Sequence, residues 1–237
     1  SSNGFYYDEV GNIFMKKVAI IGGGIAGSSL AFWFNKIKPN YQVDIFSDEK
    51  NYPACSLRST AQVALFGAEK GKNIFSDLVW DSFVFFEHFV ERYNPEGVFR
   101  ASRSLWKNVE QQWEKESAYL IEPAFFLDWL KAKTNPIQKR IESHFELLDY
   151  DFIFYTTGAY FFPDIKPVSG TFIEMDVKKG THNWSLEYNH FNLIVKESVG
   201  KLYFGVTNHQ DSLFYFEDEG LKIKLNEMLT LFKIDLP

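Results

Sequence analysis

Cysteine is nearly absent from this chain, which carries Cys55 alone. An intramolecular disulfide is therefore excluded, and a reducing compartment such as the cytoplasm is the simplest location. Positively charged residues are also outnumbered, because the chain has 25 Lys and Arg residues and 31 Asp and Glu residues, which gives a net charge of −6. This balance gives no general attraction to phosphate backbones and disfavours nucleic acid as the main partner.

An uninterrupted hydrophobic run of membrane-spanning length is missing as well. A spanning helix needs about 20 apolar residues, and the candidate segment, residues 18–34, is broken by glycines and by Ser28 and Ser29. Lys16 and Lys17 precede it, as in a secretory signal, yet no small-residue cleavage site follows. We therefore interpret the segment as part of a folded domain and expect no membrane partner.

The histidines form no recognisable site. They are scattered along the chain without metal-ligand spacing: His88, His144, His182, His190 and His209. No Ser-His-Asp arrangement accompanies them. We therefore predict no metal and assign no catalytic side chain.

Aromatic side chains, by contrast, are abundant, at 18% of the residues. This content suits a thick core or an apolar cleft and argues against disorder. Two aromatic stripes at helical spacing, in residues 76–93 and 122–130, are interpreted as core faces, with Ser76 as the cap of the first helix.

The most informative segment begins at residue 18. Residues 18–21 are apolar on both faces, as in a central parallel strand, and residues 25–38 have helical spacing. Between them Gly22, Gly24 and Gly27 form the pattern G-x-G-x-x-G. In this context the first glycine permits a tight turn, the second lets the backbone approach a pyrophosphate and the third lets helix and strand pack closely. The pattern predicts a nucleotide site, with a ligand-free turn as the alternative.

A second strand, residues 42–46, ends where an acid that binds a ribose is expected. The chain has Ser47 at this position and Asp48 one step later. Both can hydrogen-bond a ribose hydroxyl, the serine more weakly than a carboxylate. A further buried strand, residues 152–155, runs into Thr156, Thr157 and Gly158, where the backbone can approach a ligand.

Taken in order, these motifs resemble the D-amino-acid-oxidase-like, FAD-dependent oxidoreductases, which include glycine and sarcosine oxidases. The opening, residues 15–32, looks like their N-terminus, and residues 53–60 stand where they carry a serine-containing loop around the flavin. Residues 150–159 are similar to their second dinucleotide motif, residues 166–175 to the strand that enters their substrate domain, and residues 201–207 to a later strand. The similarity runs from Met15 to about Asp211.

The resemblance implies an α/β fold, with a Rossmann-like FAD-binding domain and an antiparallel β-rich substrate domain. It implies an FAD-binding domain at 15–165 with a helical insertion, and a β-rich substrate domain with a C-terminal helix at 166–237. Residues 1–14 match nothing in the family and are either an upstream extension or an expression remnant. It implies FAD as the cofactor and a small amine or amino acid as the substrate. The residues implied to bind the cofactor are Gly22, Gly23, Gly24, Ile25, Ala26, Gly27, Ser47, Asp48, Ser56, Ser59, Thr60, Thr157, Gly158 and Ala159. Arg58 is a candidate for a substrate carboxylate, with a solvated surface arginine as the alternative.

The chain also departs from the resembled family, because it stops at Pro237, before the segment with which members close over the flavin. A shortened relative, a fragment and a protein that has lost part of its flavin site all remain open. The first hypothesis is therefore an FAD-dependent oxidoreductase that oxidises an amine or amino-acid C–N bond. Within it, the chain also resembles the oxidase domain of the bacterial bifunctional enzyme that modifies wobble uridine in transfer RNA. The alternatives are a non-catalytic nucleotide-binding or interaction protein and a nicotinamide-dependent dehydrogenase.

Overall fold

The computed structural model describes residues 6–7, 13–51, 54–107, 111–132, 134–158, 171–189, 191–206 and 218–234. The chain divides into two compact units, the first built from Ser1–Ser59 and Pro123–Lys166 and the second from Thr60–Glu122 and Pro167–Pro237. The nucleotide domain predicted over residues 15–165 therefore includes a segment, 60–122, that lies in the second unit. At the start of the chain, strands β1 (Tyr6–Tyr7) and β2 (Ile13–Phe14) pair antiparallel.

The first unit is a four-stranded parallel sheet with helices. Its strands and helices are β3 (Lys17–Ile21), α1 (Ile25–Ile37), β4 (Gln42–Ser47), α3 (Pro123–Lys131), β8 (Asn135–Gln138) and β9 (Phe152–Tyr155). The sheet has the order β8-β4-β3-β9, so β4 and β8 lie on one side of β3 and β9 lies on the other. This is the arrangement of a doubly wound nucleotide-binding sheet, and it confirms the predicted Rossmann-like fold.

Strand β3 is buried on both faces, as its continuous apolar run predicts. Val18 and Ile20 pack in a cluster with Ala31 of α1, whereas Ala19 and Ile21 pack on the opposite face with Leu147. Strand β8 was missed in the sequence because it contains Pro136, which lacks a ladder donor. It lies at the edge of the sheet, the position where a proline is tolerated.

The second unit is a seven-stranded sheet with two helices. Its elements are β5 (Gln62–Ala64), α2 (Ile74–Tyr93), β6 (Val98–Lys107), β7 (Gln112–Ile121), β10 (Thr171–Asp176), β11 (Asn183–Tyr188), β12 (Phe191–Lys196), β13 (Lys201–Val206) and α4 (Asp218–Phe232). Its order is β10-β13-β12-β11-β6-β7-β5, antiparallel throughout except where β11 and β6 run parallel. The segment predicted as a helical insertion thus contains α2 and, in addition, three strands of this sheet.

Both helices of the second unit pack on the same face of the sheet. Trp113 of β7 contacts Phe232 of α4, with ring centroids 4.8 Å apart. Tyr119, an even number of residues further along β7, contacts Phe86 of α2, with centroids 5.4 Å apart. The opposite face carries Arg103 and Lys196, which are buried. Charged residues on β6 and β7 are the reason these strands were not predicted.

The predicted helices are otherwise confirmed, with one correction at a cap. Helix α2 begins at Ile74, two residues before the predicted start at Ser76. Its cap is Asn73, whose Oδ1 accepts from the backbone N–H groups of Phe75 and Ser76, both at 3.0 Å. Among the described residues no helix is both long and apolar enough to cross a membrane.

Candidate functional site

The turn between β3 and α1 requires a glycine at its first position. Gly22 has a φ of +113°, a backbone conformation that residues with a side chain rarely adopt. Its N–H donates to the carbonyl of Phe46 at 2.8 Å. A Cβ on Gly22 would lie 2.6 Å from the carbonyl oxygen of Thr156, so strands β3, β4 and β9 all meet at this residue.

Gly27 lets helix α1 rest directly on that turn. A Cβ on Gly27 would lie 1.9 Å from the carbonyl oxygen of Gly22 and 2.6 Å from Oγ1 of Thr156. The Thr156 hydroxyl donates to the carbonyls of Ile21 and Gly22, both at 3.0 Å. Thr156 thus ties the end of β9 to the end of β3.

A cavity of about 560 Å³ opens at this edge of the parallel sheet. It lies at the carboxyl ends of β3, β4, β8 and β9, where open α/β sheets bind their ligands. The cavity is lined by residues 21–26, 46–49, 54–56, 139–142 and 156–158.

The N-terminus of α1 faces into the cavity. Gly24, the residue before the helix, has no side chain with which to cap it. Ser56, from the short 3-10 turn Cys55–Arg58, supplies an acceptor instead, because Ile25 N–H donates to its Oγ at 3.0 Å. The serine hydroxyl keeps a donor of its own. Helix N–H groups, the positive end of the helix dipole and this hydroxyl form a set of groups suited to a phosphate.

Two hydroxyl groups in the cavity wall have no partner among the described residues. Ser47 Oγ and Thr157 Oγ1 are both buried without a hydrogen bond. Because a buried hydroxyl that lacks a partner costs free energy, these two groups are expected to bond to a ligand in the cavity.

A carboxylate that sequence reasoning missed also lines the cavity. Glu49 forms an ion pair with Lys131 of α3. Its Oε1 lies 2.8 Å from the position that a Cβ on Gly23 would occupy. Asp48, by contrast, accepts from Asn51, with Nδ2 at 2.9 Å from Oδ2, and so stabilises the loop after β4. In the sequence, Asp48 and Glu49 are both acidic residues that directly follow β4. Only the direction of the Glu49 side chain distinguishes it from Asp48.

The segment after β8 forms another wall of the cavity. Lys139 N–H donates to the carbonyl of Ser47 at 3.0 Å, and Lys139 Nζ lies 2.7 Å from Glu146. Hydrogen bonds from Lys139 and from the backbone N–H groups of Glu142 and Ser143 hold the pKa of Glu146 below its usual range. Arg140 pairs with Glu142 at 3.0 Å. The cationic side chains here are therefore engaged by neighbouring carboxylates.

The predicted site residues fall into four groups. Ten line the cavity: Gly22, Gly23, Gly24, Ile25, Ala26, Ser47, Asp48, Ser56, Thr157 and Gly158. Gly27 lies beneath it, and Arg58, Ser59 and Thr60 are not part of its lining. Arg58 and Ser59 are exposed. Ala159 lies outside the described residues.

Comparison with protein families gives one match. The model of the FAD dependent oxidoreductase family (DAO) matches residues 17–169. The match includes the glycine turn, strand β4 and the residues after β9. A comparison with curated protein sequences gives no match.

Solved structures with a similar fold include glycine oxidase from Bacillus cereus ATCC 14579. It is 12% identical, with a TM-score of 0.63 over 94% of this chain and 80% of that chain. Iminodiacetate oxidase from Chelativorans sp. BNC1 is 14% identical, with a TM-score of 0.60 over 90% of this chain and 78% of that one. A flavin-dependent halogenase from Xanthomonas campestris is 12% identical, with a TM-score of 0.55 over 90% and 59%. At these identities the likeness concerns the fold.

Proposed function

Since the chain belongs to the FAD dependent oxidoreductase family, whose cofactor is FAD, we propose that it oxidises the C–N bond of an amine or an amino acid. FAD, when bound, supplies the acceptor for the hydride that leaves the carbon beside the nitrogen. The protein's part is to hold the cofactor, to position the substrate and to exclude water.

The observation that carries the cofactor part of this proposal is the chemistry of the cavity wall. Two hydroxyl groups without a partner among the described residues, Ser47 Oγ and Thr157 Oγ1, lie in one cavity with the N-terminus of α1, where Gly24 offers no side-chain cap. FAD brings a diphosphate and ribose hydroxyls, which are the groups these atoms can bond. The residues present therefore fit this cofactor.

Each part of the wall suits a different part of the cofactor. The N-terminus of α1 and the Ser56 hydroxyl would hold the diphosphate, because both offer donors to negative oxygens. Glu49 and Ser47 would hold ribose hydroxyls. Lys131 keeps the Glu49 side chain in place through their ion pair. Thr157 and Gly158 would contact the cofactor beyond the end of β9.

The choice of a C–N bond is supported by two of the similar structures. They are named as oxidases of glycine and of iminodiacetate, compounds in which carbon is bonded to nitrogen. The flavin-dependent halogenase shares the fold as well, so the experiment must test the reaction class directly.

The first measurement is the absorbance spectrum of the purified protein, followed by denaturation and identification of the released chromophore. We expect FAD at close to one per chain. The holoprotein is then mixed anaerobically with a panel of amines and amino acids, and bleaching of the flavin is followed. Bleaching by a member of the panel, with release of the matching carbonyl compound in water, supports the proposal. A holoprotein that none of them bleaches would instead favour a non-catalytic nucleotide-binding protein.

A further inference from the structure

A group of charged side chains lies on the face of the seven-stranded sheet that is opposite α2 and α4. Arg103 of β6 stands between Glu116 of β7 and Glu187 of β11. Its Nη1 is 2.5 Å from Glu116 Oε1, and its Nη2 bonds Glu187 Oε2. The Arg103 side chain is only 3% exposed, and both of its terminal nitrogens bond these carboxylates.

The charges of this group do not balance. One guanidinium faces two carboxylates, which leaves one negative charge in excess. Taking charge out of water is costly unless it is paired. Glu187 is 29% exposed, so one carboxylate of the group remains reachable from outside. A ligand that completes the group must therefore bring a positive charge.

An exposed aromatic ring lies against the same guanidinium. The Arg103 Cζ is 4.8 Å from the centroid of the Phe66 ring, and Phe66 is 57% exposed. The Phe66 backbone N–H donates to Glu116 Oε1 at 3.2 Å and holds the residue at a φ of +54°. A bulky residue in the left-handed region carries strain, and such strain collects at binding sites. A ring face beside carboxylates is the environment that binds an ammonium group.

A buried hydroxyl at the same place has no partner among the described residues. Ser185 of β11 is directly opposite Arg103 in the parallel register, so both side chains leave the same face of the sheet. Ser185 is 3% exposed, and its Oγ bonds no other described group. A hydroxyl oxygen can accept a hydrogen bond from an ammonium N–H.

We propose that Phe66, Glu187 and Ser185 form a recognition site for an ammonium group. A carboxylate at this place would meet Glu116 and Glu187, whose two negative charges outweigh the single guanidinium of Arg103. The same geometry therefore disfavours an anionic ligand.

The binding test uses the FAD-loaded protein and tetramethylammonium chloride as the probe, with sodium acetate as the anionic control. Titration calorimetry is expected to show binding of the cation and none of acetate. Phe66→Leu, which keeps an apolar side chain and removes the ring, is expected to weaken binding about tenfold. Glu187→Gln should weaken it by a similar factor.

Phe75→Leu is the matched control, because Phe75 is also an exposed phenylalanine, on α2, at 76% against 57% for Phe66. It should bind the probe as the unaltered protein does. Thermal unfolding of each variant shows that it is folded before it is titrated. Equal binding by Phe66→Leu and the unaltered protein, or no binding of the cation at all, would overturn the proposal.

Discussion

The two sheets of this protein build sites in different ways. At the edge of the parallel sheet the site is made chiefly of backbone: a glycine turn, a helix N-terminus and a few hydroxyl groups. On the seven-stranded sheet the polar groups are long, buried, charged side chains. Arg103 is one, and Lys196 is another, fully buried with its Nζ 2.5 Å from the carbonyl of Ile121. Burial lowers the pKa of Lys196, which its charge interaction with Glu122 opposes.

This difference determines which kind of substitution damages the site on each sheet. A backbone site depends on the space that glycine leaves, so an added methyl group damages it. A charged side-chain site depends on matched charges, so the removal of one partner damages it more than the removal of all of them. Substitutions of the two kinds can test this contrast.

The largest effect is expected on the seven-stranded sheet. Arg103→Met leaves Glu116 and Glu187 without their cation, and a buried ion pair that loses one partner destabilises a protein by about 3–5 kcal/mol. Urea unfolding measures the loss. The variant that also carries Glu116→Gln and Glu187→Gln should recover most of it. If the triple variant is no more stable than Arg103→Met, charge is not the reason for the damage.

The next largest effect is expected at the parallel sheet. Gly27→Ala places a Cβ 1.9 Å from the Gly22 carbonyl oxygen, and overpacking of this kind costs about 3 kcal/mol. The gain in helix propensity is smaller, at about 1 kcal/mol. We expect reduced stability and loss of bound FAD, measured by unfolding and by flavin content.

Gly24→Ala is the control for Gly27→Ala. Its Cβ would lie 3.2 Å from Ser56 Oγ and 3.8 Å from Ala54 Cβ, which a small shift accommodates. This variant should fold with nearly unchanged stability. Equal stability losses in the two variants would contradict a specific role for the contact between Gly27 and the turn.

The parallel sheet was predictable because its signals are local. The apolar strand, the glycines and the following helix lie within residues 18–38, and each element is confirmed. Strand β8 was missed because of Pro136. The seven-stranded sheet was predicted only in the part that lies within the β-rich domain expected at 166–237. Its strands β6 and β7 carry Arg103 and Glu116, charges that are paired with each other only after folding.

The residues of the candidate site can likewise be divided into those that a local sequence pattern predicts and those that it does not. The lining at residues 22–26 follows from the glycine pattern alone. Asp48 and Glu49 both line the cavity, and the side-chain direction that brings Glu49 next to Gly23 cannot be read from the sequence. Lys131 and the wall at 139–142 come from distant parts of the chain. No sequence pattern joins Phe66, Arg103 and Ser185, because three separate segments bring them together.

A smaller effect distinguishes Glu49 from Asp48. Glu49→Gln removes the charge proposed to accept ribose hydroxyls, and a hydrogen bond to a charged group contributes about 1.5 kcal/mol or more. The Kd of the apoprotein for FAD should rise about tenfold, measured by titration. Asp48→Asn should leave the Kd nearly unchanged, because the carboxylate of Asp48 already accepts hydrogen bonds from Asn51. A larger effect of Asp48→Asn than of Glu49→Gln would assign the ribose to Asp48, one of the two residues predicted from the sequence.

The smallest effect concerns the pH dependence of the first unit. Tyr150 Oη donates to Asp44 Oδ2 at 2.8 Å, and burial together with this hydrogen bond raises the pKa of Tyr150 from 10.0 to about 12. The neutral phenol is thus favoured in the folded state. Its contribution is fully present below pH 10 and is lost as the pH rises towards 12, because the unfolded chain ionises first.

Tyr150→Phe should therefore cost about 1 kcal/mol at neutral pH and lose less stability than the unaltered protein as the pH rises from 10 to 12. Asp44→Asn removes the acceptor's charge, which is one of the causes of the raised pKa, and should flatten the same part of the curve. Tyr203 also has a raised pKa and remains in both variants, so only the difference between curves reports on Tyr150. Parallel curves for Tyr150→Phe and the unaltered protein would mean that the hydrogen bond to Asp44 does not control this ionisation.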